Sequence, residues 1–290
     1  MTATQTAVPG AGPAGPHDIP PPLEDARPSL RTRIWRATWP PLAAAGLAIG
    51  IWQVVVWSGW KPEYVLPPPL TVFQDLAEGF AAGDFTEPIA RTLGRAAVGF
   101  AIAMVIGTLL GLAVSRWRTL RAAFGSLITG LQTMPSIAWF PLAILLFGLS
   151  ERAILFVVVL GAAPSIANGI ISGVDDLQPS LLRAAKVLGA RGVDLYRLIV
   201  VPAALPTYLA GLKQGWAFSW RSLMAGELLG VIPGSLGLGQ LLQIEREFAD
   251  ASGVIGAMIV ILVIGMVVDG IFAWVTNGVR RRRGLGALRL

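Results

Sequence analysis

Two cations interrupt an apolar stretch of this 290-residue chain: Lys213 and Arg221, between Ala203 and Val231. A charge at membrane depth is expensive unless it faces a cavity or a partner. Arg221 offers the sharper chemistry, because a guanidinium fork matches the oxygens of a sulfonate, a nitrate or a similar oxyanion. Ser219 and Ser222 flank it and can add donors, while Trp216 and Trp220 can wall an apolar part of a solute. The competing reading pairs Arg221 with Glu227. On a continuous helix their spacing sets them about 240° apart, so direct pairing would need a broken helix or a second chain. Lys213 is expected to snorkel toward an interface. A second polar group surrounds Pro135, where Gln132, Thr133 and Ser136 can line an aqueous path. Irregular backbone at depth is tolerated where protein or water satisfies it. The bland alternative there is a kinked packing helix whose Ser and Thr satisfy the carbonyls freed by Pro135 and Pro141.

Absences remove other chemistries. The chain has no cysteine, and its one histidine, His17, lies in a Pro/Gly-rich segment, which excludes disulfides, thiolate metal sites, zinc sites and Ser-His-Asp triads. There is no G-x-x-x-x-G-K-[S/T] loop to cradle phosphates and no HExxH. Glu227 and Asp269 are the only acids at membrane depth, too few by themselves to suggest a proton relay. No cofactor or metal is expected. If the protein moves a solute against a gradient, the energy must arrive from a partner.

The elements that carry these residues follow from composition. The chain is 54% hydrophobic and only 14% charged, against roughly 25% charged in soluble domains. A hydrocarbon core of about 30 Å takes about 20 apolar residues per helix. Six stretches qualify: Pro41 to Trp57, Ala96 to Val114, Phe124 to Phe147, Ala153 to Ile171, Ala203 to Val231 and Gly253 to Val279. Small-xxx-small pairs at Gly107/Gly111, Gly211/Gly215 and Gly226/Gly230 predict close helix packing. Sixteen of the 23 Lys and Arg residues fall before the first span, after the second, between the fourth and fifth, and after the sixth. The positive-inside rule therefore puts both termini in the cytoplasm. Basic residues placed at span ends also exclude a nucleic-acid face and favour anionic lipid contact. Trp35, Trp39, Trp57, Trp60, Trp117 and Trp274 stand where an aromatic belt would.

The expected organisation is all-α. A disordered basic-ended cytoplasmic tail covers 1–36, a first transmembrane helix 37–60 and an extracytoplasmic segment 61–90. A transmembrane core covers 91–279 with a cytoplasmic loop at 175–202, and a basic tail covers 280–290. Within the extracytoplasmic segment Leu70, Val72, Phe73, Leu76 and Phe80 can form one apolar face, either of an interfacial helix or of one packed on the bundle.

The loop, Asp175 to Pro206, carries the most specific pattern. Pro179 suits a first helical turn, residues 180–188 are helix formers, and Gly189 is placed to end the helix in a left-handed conformation. A second short helix is expected from about Val193 to Val200, stopped by Pro202. Such a knob suits docking better than catalysis, since it holds no acid, histidine or nucleophile in a workable arrangement.

Ala184, Ala185, Gly189, Ile199 and Pro202 stand at the spacing of E-A-A-x3-G-x9-I-x-L-P, with Arg183 in place of the glutamate and Val201 in place of the leucine. This resembles the EAA loop of permease subunits of bacterial ATP-binding-cassette importers. The resemblance runs from about Arg91 to Arg283. The stretches at Met134 to Glu151, Trp216 to Gly230 and Tyr64 to Leu76 look like the nitrate/sulfonate/taurine/bicarbonate subfamily, with the closest likeness to aliphatic sulfonate permeases. It implies six transmembrane helices with coupling helices that seat on ATPase subunits, a second permease copy, and an extracytoplasmic solute-binding protein. It also implies a cytoplasmic-membrane location and ATP hydrolysis on a separate subunit, so that this chain is not itself an enzyme. Arg183 reverses the motif's charge, and the matching ATPase cleft is expected to present it an acidic or neutral surface. The alternative function is a secondary carrier driven by an ion gradient without an ATPase. A membrane enzyme would need acids converging near Glu227 or Asp269.

Overall fold

The computed structural model describes residues 30–230 and 234–282. The expected tails at 1–29 and 283–290 lie outside the described residues. The chain divides into two units, Met1–Val54 and Val55–Leu290. Helix α1 (Leu30–Trp57) fills the described part of the first and ends just inside the second. It begins earlier than the expected 37–60, so residues 30–36 are helix rather than tail. No described residue forms a strand.

The second unit continues with α2 (Pro69–Ala82), α3 (Thr86–Arg116), α4 (Arg118–Thr133) and, after a 3-10 turn at Ser136–Trp139, α5 (Phe140–Phe147). Then come α6 (Glu151–Asp175), α7 (Pro179–Val187), α8 (Gly192–Leu195), a π-helical turn at Tyr196–Val200, α9 (Val201–Leu229), α10 (Leu238–Glu247) and α11 (Ala251–Arg282). The basic tail expected from residue 280 therefore begins as the last turn of α11.

Among the described residues five helices are long and apolar enough to cross a membrane: α1, α3, α6, the run from α8 through α9, and α11. The expected third span is a bent pair, with 105° between its arms. Pro135 causes the break, because a residue before proline is driven out of the helical region. Met134 accordingly sits at φ −78°, ψ 128°. Six crossings result if that pair counts as one broken span.

Helix α6 is the centre of the unit, packed between α3 and α9. Small residues make this possible. Gly107 and Gly111 of α3 lie over the Ala163 and Ala167 backbone, and a methyl group at Gly169 would come within 2.7 Å of the Gly211 Cα of α9. Lipid tails are as apolar as leucine, so such close van der Waals packing replaces the hydrophobic drive of a soluble core. Of the amphipathic stretch, Val72 is buried and Leu76 packs with Phe85, Leu238 and Val260, whereas Leu70 and Phe73 remain exposed. Thus α2 packs on the bundle, mainly against α11. All six belt tryptophans keep exposed side chains.

One loop expectation is corrected. Helix α7 does end through Gly189 at φ 91°, with the Ala190 N–H donating to the Ala185 carbonyl at 3.0 Å. Pro202, however, does not stop the following helix, which runs unbroken from Gly192 to Leu229. A proline ring normally clashes with the carbonyl four residues back, here Leu198. The π-turn widens that stretch by one residue, with the Val201 N–H donating to the Tyr196 carbonyl, and the helix passes the ring.

Candidate functional site

The break in the third span and the middle of α9 meet. Gln132, Thr133 and Ser136 line a cavity of about 400 Å³ together with Phe218 and Arg221. Two groups on it lack ordinary partners. The Gln132 Nε2 is buried with no hydrogen-bond acceptor. Arg221 donates from Nε to the Ala217 carbonyl at 3.1 Å and lies 5.0 Å from the Phe218 ring centroid, and among the described residues no carboxylate stands within 4 Å of it. Thr133 is less available, since its hydroxyl donates to the Gly130 carbonyl at 2.8 Å. Arg221 thus presents a guanidinium donor on this cavity, with the unpartnered Gln132 amide nitrogen buried beside it.

The other residues singled out around Arg221 are placed differently. Ser219 and Ser222 are fully buried and line none of the cavities at Arg221, so the expectation that they add donors there is not met. The Ser222 hydroxyl donates back to the Phe218 carbonyl. Trp216 and Trp220 stack on one another at 6.1 Å, and Trp216 also meets Phe100 and Phe272, which makes both part of the core. Their remaining edges face a mostly apolar cavity of about 680 Å³ between α9, α10 and α11, which Arg221 and Asp269 also line. Lys213 does not simply snorkel, because its Nζ pairs with Asp269 of α11 at 3.1 Å, both side chains half-exposed.

The loop forms a knob with an apolar tip. Val187, Leu188 and Val193 are exposed, at 86%, 87% and 78%, an apolar tip of the kind that suits an interaction surface. Ala185 is buried at the base, Arg183, Ala184 and Gly189 face outward, and Ile199 and Pro202 are half-buried at the root. Arg183 meets no carboxylate within 4 Å among the described residues.

The sequence pattern of the binding-protein-dependent transport system inner membrane component family matches residues 103–281. The chain belongs to that family. A Methanocaldococcus jannaschii chain named as an ABC transporter permease is 32% identical over 233 residues, 79% of this chain and 86% of that one. The taurine transport system permease of Escherichia coli is 28% identical, covering 83% and 90%, and the bicarbonate transport system permease of Synechococcus elongatus 30%, covering 83% and 89%. In fold, the chain is similar to an inward-facing methionine ABC transporter, with a TM-score of 0.57 at 18% identity over 67% of this chain and 95% of that one. This chain is therefore a multi-pass permease subunit of an ABC importer, ATP is hydrolysed by a separate subunit, and the secondary-carrier reading falls away.

Within the permease, one polar cluster escaped the sequence reading. Arg95 of α3 donates to both Glu151 oxygens at 2.7 and 2.8 Å, to Glu227 at 2.7 Å and to the Ser235 hydroxyl at 2.7 Å. Glu227 also accepts from Thr92 and from the Gly239 N–H, and Thr92 accepts the Leu238 N–H at 2.8 Å. Glu227 is fully buried and Arg95 nearly so. The cluster ties the start of α10 to α3, α6 and α9. Both acids are committed to Arg95, and Glu227 lines none of the cavities above, so the arrangement is a structural joint. This disposes of the Arg221–Glu227 pair and of a catalytic centre at Glu227.

Proposed function

We propose that this permease carries a small oxyanion, an aliphatic sulfonate first and taurine, nitrate or bicarbonate as the related possibilities, along the cavity lined by Gln132, Thr133, Ser136 and Arg221. The observation that carries the reading is a guanidinium on this cavity without a carboxylate within 4 Å, beside Gln132, whose buried amide nitrogen has no acceptor. Arg221 is exposed on the single chain, and a cation at membrane depth without a counter-ion needs a water-filled path or a partner, a need that a passing anion meets. The taurine-permease relative supports a sulfonate, and the bicarbonate-permease relative keeps the wider class in view.

Two copies of the permease form the pathway, with both termini in the cytoplasm. Two ATPase subunits dock on the knob through Arg183, Ala184, Ala185, Gly189, Ile199 and Pro202, and a solute-binding protein delivers from the opposite face. ATP-driven closure of the ATPases draws the knobs together and turns the pathway inward. Because α8, the π-turn and α9 are one continuous helix, a push at the knob reaches Arg221 along a stiff rod.

The test is ATP-dependent uptake of a labelled alkanesulfonate by the reconstituted importer. Arg221→Gln removes a charged hydrogen bond and should slow uptake about 10- to 100-fold at subsaturating solute, with Arg221→Lys intermediate. Normal uptake by both variants would remove Arg221 from the pathway. In the same assay Arg183→Glu should weaken ATPase coupling, and unchanged coupling would show that this position is not specific.

A further inference from the structure

Arg221 also borders a third cavity, of about 570 Å³, on the side of α10. Its polar lining is Arg221, Gln243 and Arg246, and its walls include Ile137, Trp220, Met224 and Leu229. Arg221 and Ile137 line this cavity and the Gln132–Ser136 cavity alike, so the two adjoin at the guanidinium.

Arg246 is exposed and, among the described residues, has no carboxylate within 4 Å. Gln243 donates one N–H to Glu247 at 2.9 Å and keeps its second. Glu247 itself does not line the cavity. Two guanidiniums thus line one cavity, and among the described residues neither has a carboxylate within 4 Å. Nor is α10 free to turn Arg246 away. Its first turn is fixed by the Gly239 N–H on Glu227 at 2.9 Å and by Gln240 donating to the Gly230 carbonyl at 2.6 Å. The walls add a second constraint. Aromatic and aliphatic side chains around two cations suit a solute that joins an anionic head to a short hydrocarbon part, whereas nitrate or bicarbonate has nothing to lay against them.

Resting on the oxyanion-permease reading above, we propose that Arg246, Gln243 and Arg221 form an outer anion station that receives short-chain organic anions, alkanesulfonates above all, before Arg221 passes the head group into the Gln132–Ser136 cavity. Arg246 is the first charge such a solute meets, and Arg221, shared by both cavities, is the point of transfer.

The native chain has no cysteine, so Gln243→Cys gives a single thiol at the station. In the reconstituted importer, the rate of its modification is compared for a negatively charged and a positively charged methanethiosulfonate of similar size. The anionic reagent should react faster, propanesulfonate should slow it, and equal nitrate or bicarbonate should slow it less. Adding Arg246→Gln should cut the anion-over-cation preference about 25-fold, because one unit charge at about 4 Å in water weighs about fivefold on the attraction of the anionic reagent and again on the repulsion of the cationic one, and Arg246→Lys should keep it. An unchanged preference in Arg246→Gln, or no protection by propanesulfonate, would overturn the station. These readings do not depend on transport. If Arg221→Gln abolishes uptake while the thiol of Gln243→Cys shows no anion preference, the outer station alone fails. If uptake is indifferent to Arg221, the pathway reading fails whatever that thiol reports.

Discussion

At the scale of single residues, the Arg95 joint and Arg221 show two fates of a charge in an apolar bundle. Arg95 is matched by Glu151 and Glu227 and is nearly sealed from solvent, while Arg221 is left without an acid. Removing one partner of a buried pair leaves an uncompensated charge and costs about 3–5 kcal/mol. Glu227→Gln should therefore lower the thermal stability of the purified permease by a wide margin. Glu151→Gln should cost less, because its side chain is 44% exposed, and equal melting curves for the two variants would contradict this ranking. Arg221 stood out in the sequence because a charge inside an apolar span must face a cavity or a partner. Arg95 did not, since its pairing with Glu227 joins residues 132 apart and nothing in the local sequence of either points to the other. Ser219 and Ser222 were over-read for a related reason: adjacency to Arg221 in sequence does not give adjacency on a helix face.

At the scale of elements, glycine and proline determine the geometry. The α6–α9 crossing depends on Gly169 meeting Gly211, where a methyl group would lie 2.7 Å from backbone. Gly169→Ala should destabilise by about 1–3 kcal/mol through overpacking, measured as a lowered melting temperature in detergent. Gly125→Ala, at a position with open space, is the control that should not. Gly189 is a different case, because a side chain there meets no atom and the cost is conformational, its φ being 91°. Gly189→Ala should cost about 1–2 kcal/mol, confined to the knob, and should show as reduced ATPase coupling with little change in the melting of the bundle. The helix spans and the Gly189 turn could be read directly, because periodicity and turn chemistry are local. The passage of the helix through Pro202 could not, because a π-turn accommodates the ring without leaving a composition signal. The 105° bend at Pro135 was foreseen as an interruption but not in size, since proline specifies where a helix breaks and packing specifies the angle.

At the scale of the whole molecule, low charge density and the rows of Lys and Arg identified a multi-pass membrane protein, and the Ala184 to Pro202 spacing pointed to its family. The short helix α10 was the element left unread, because ten residues of mixed polarity between two spans resemble a loop. Its acid Glu245 has a pKa raised by burial first, and then by the Asp250 and Asp84 carboxylates. A carboxyl group with a folded pKa above its unfolded value binds protons on folding. Stability should therefore fall as pH rises from about 4.5 through the folded pKa, with the full penalty present above it. Glu245→Gln should melt higher than the native permease at pH 8 and lose that advantage as the medium is acidified. A constant difference between pH 4 and pH 8 would contradict the assignment.

We propose that solute passes the cavity between the broken third span and α9, and this can be tested directly. In the cysteine-free chain, Ser136→Cys places one thiol on that cavity, and ATP-driven alkanesulfonate uptake by the reconstituted importer can be measured before and after its modification by a bulky thiol reagent. Modification should abolish uptake, and alkanesulfonate present during the reaction should protect the thiol. Full uptake by importer whose introduced thiol is demonstrably modified would contradict it.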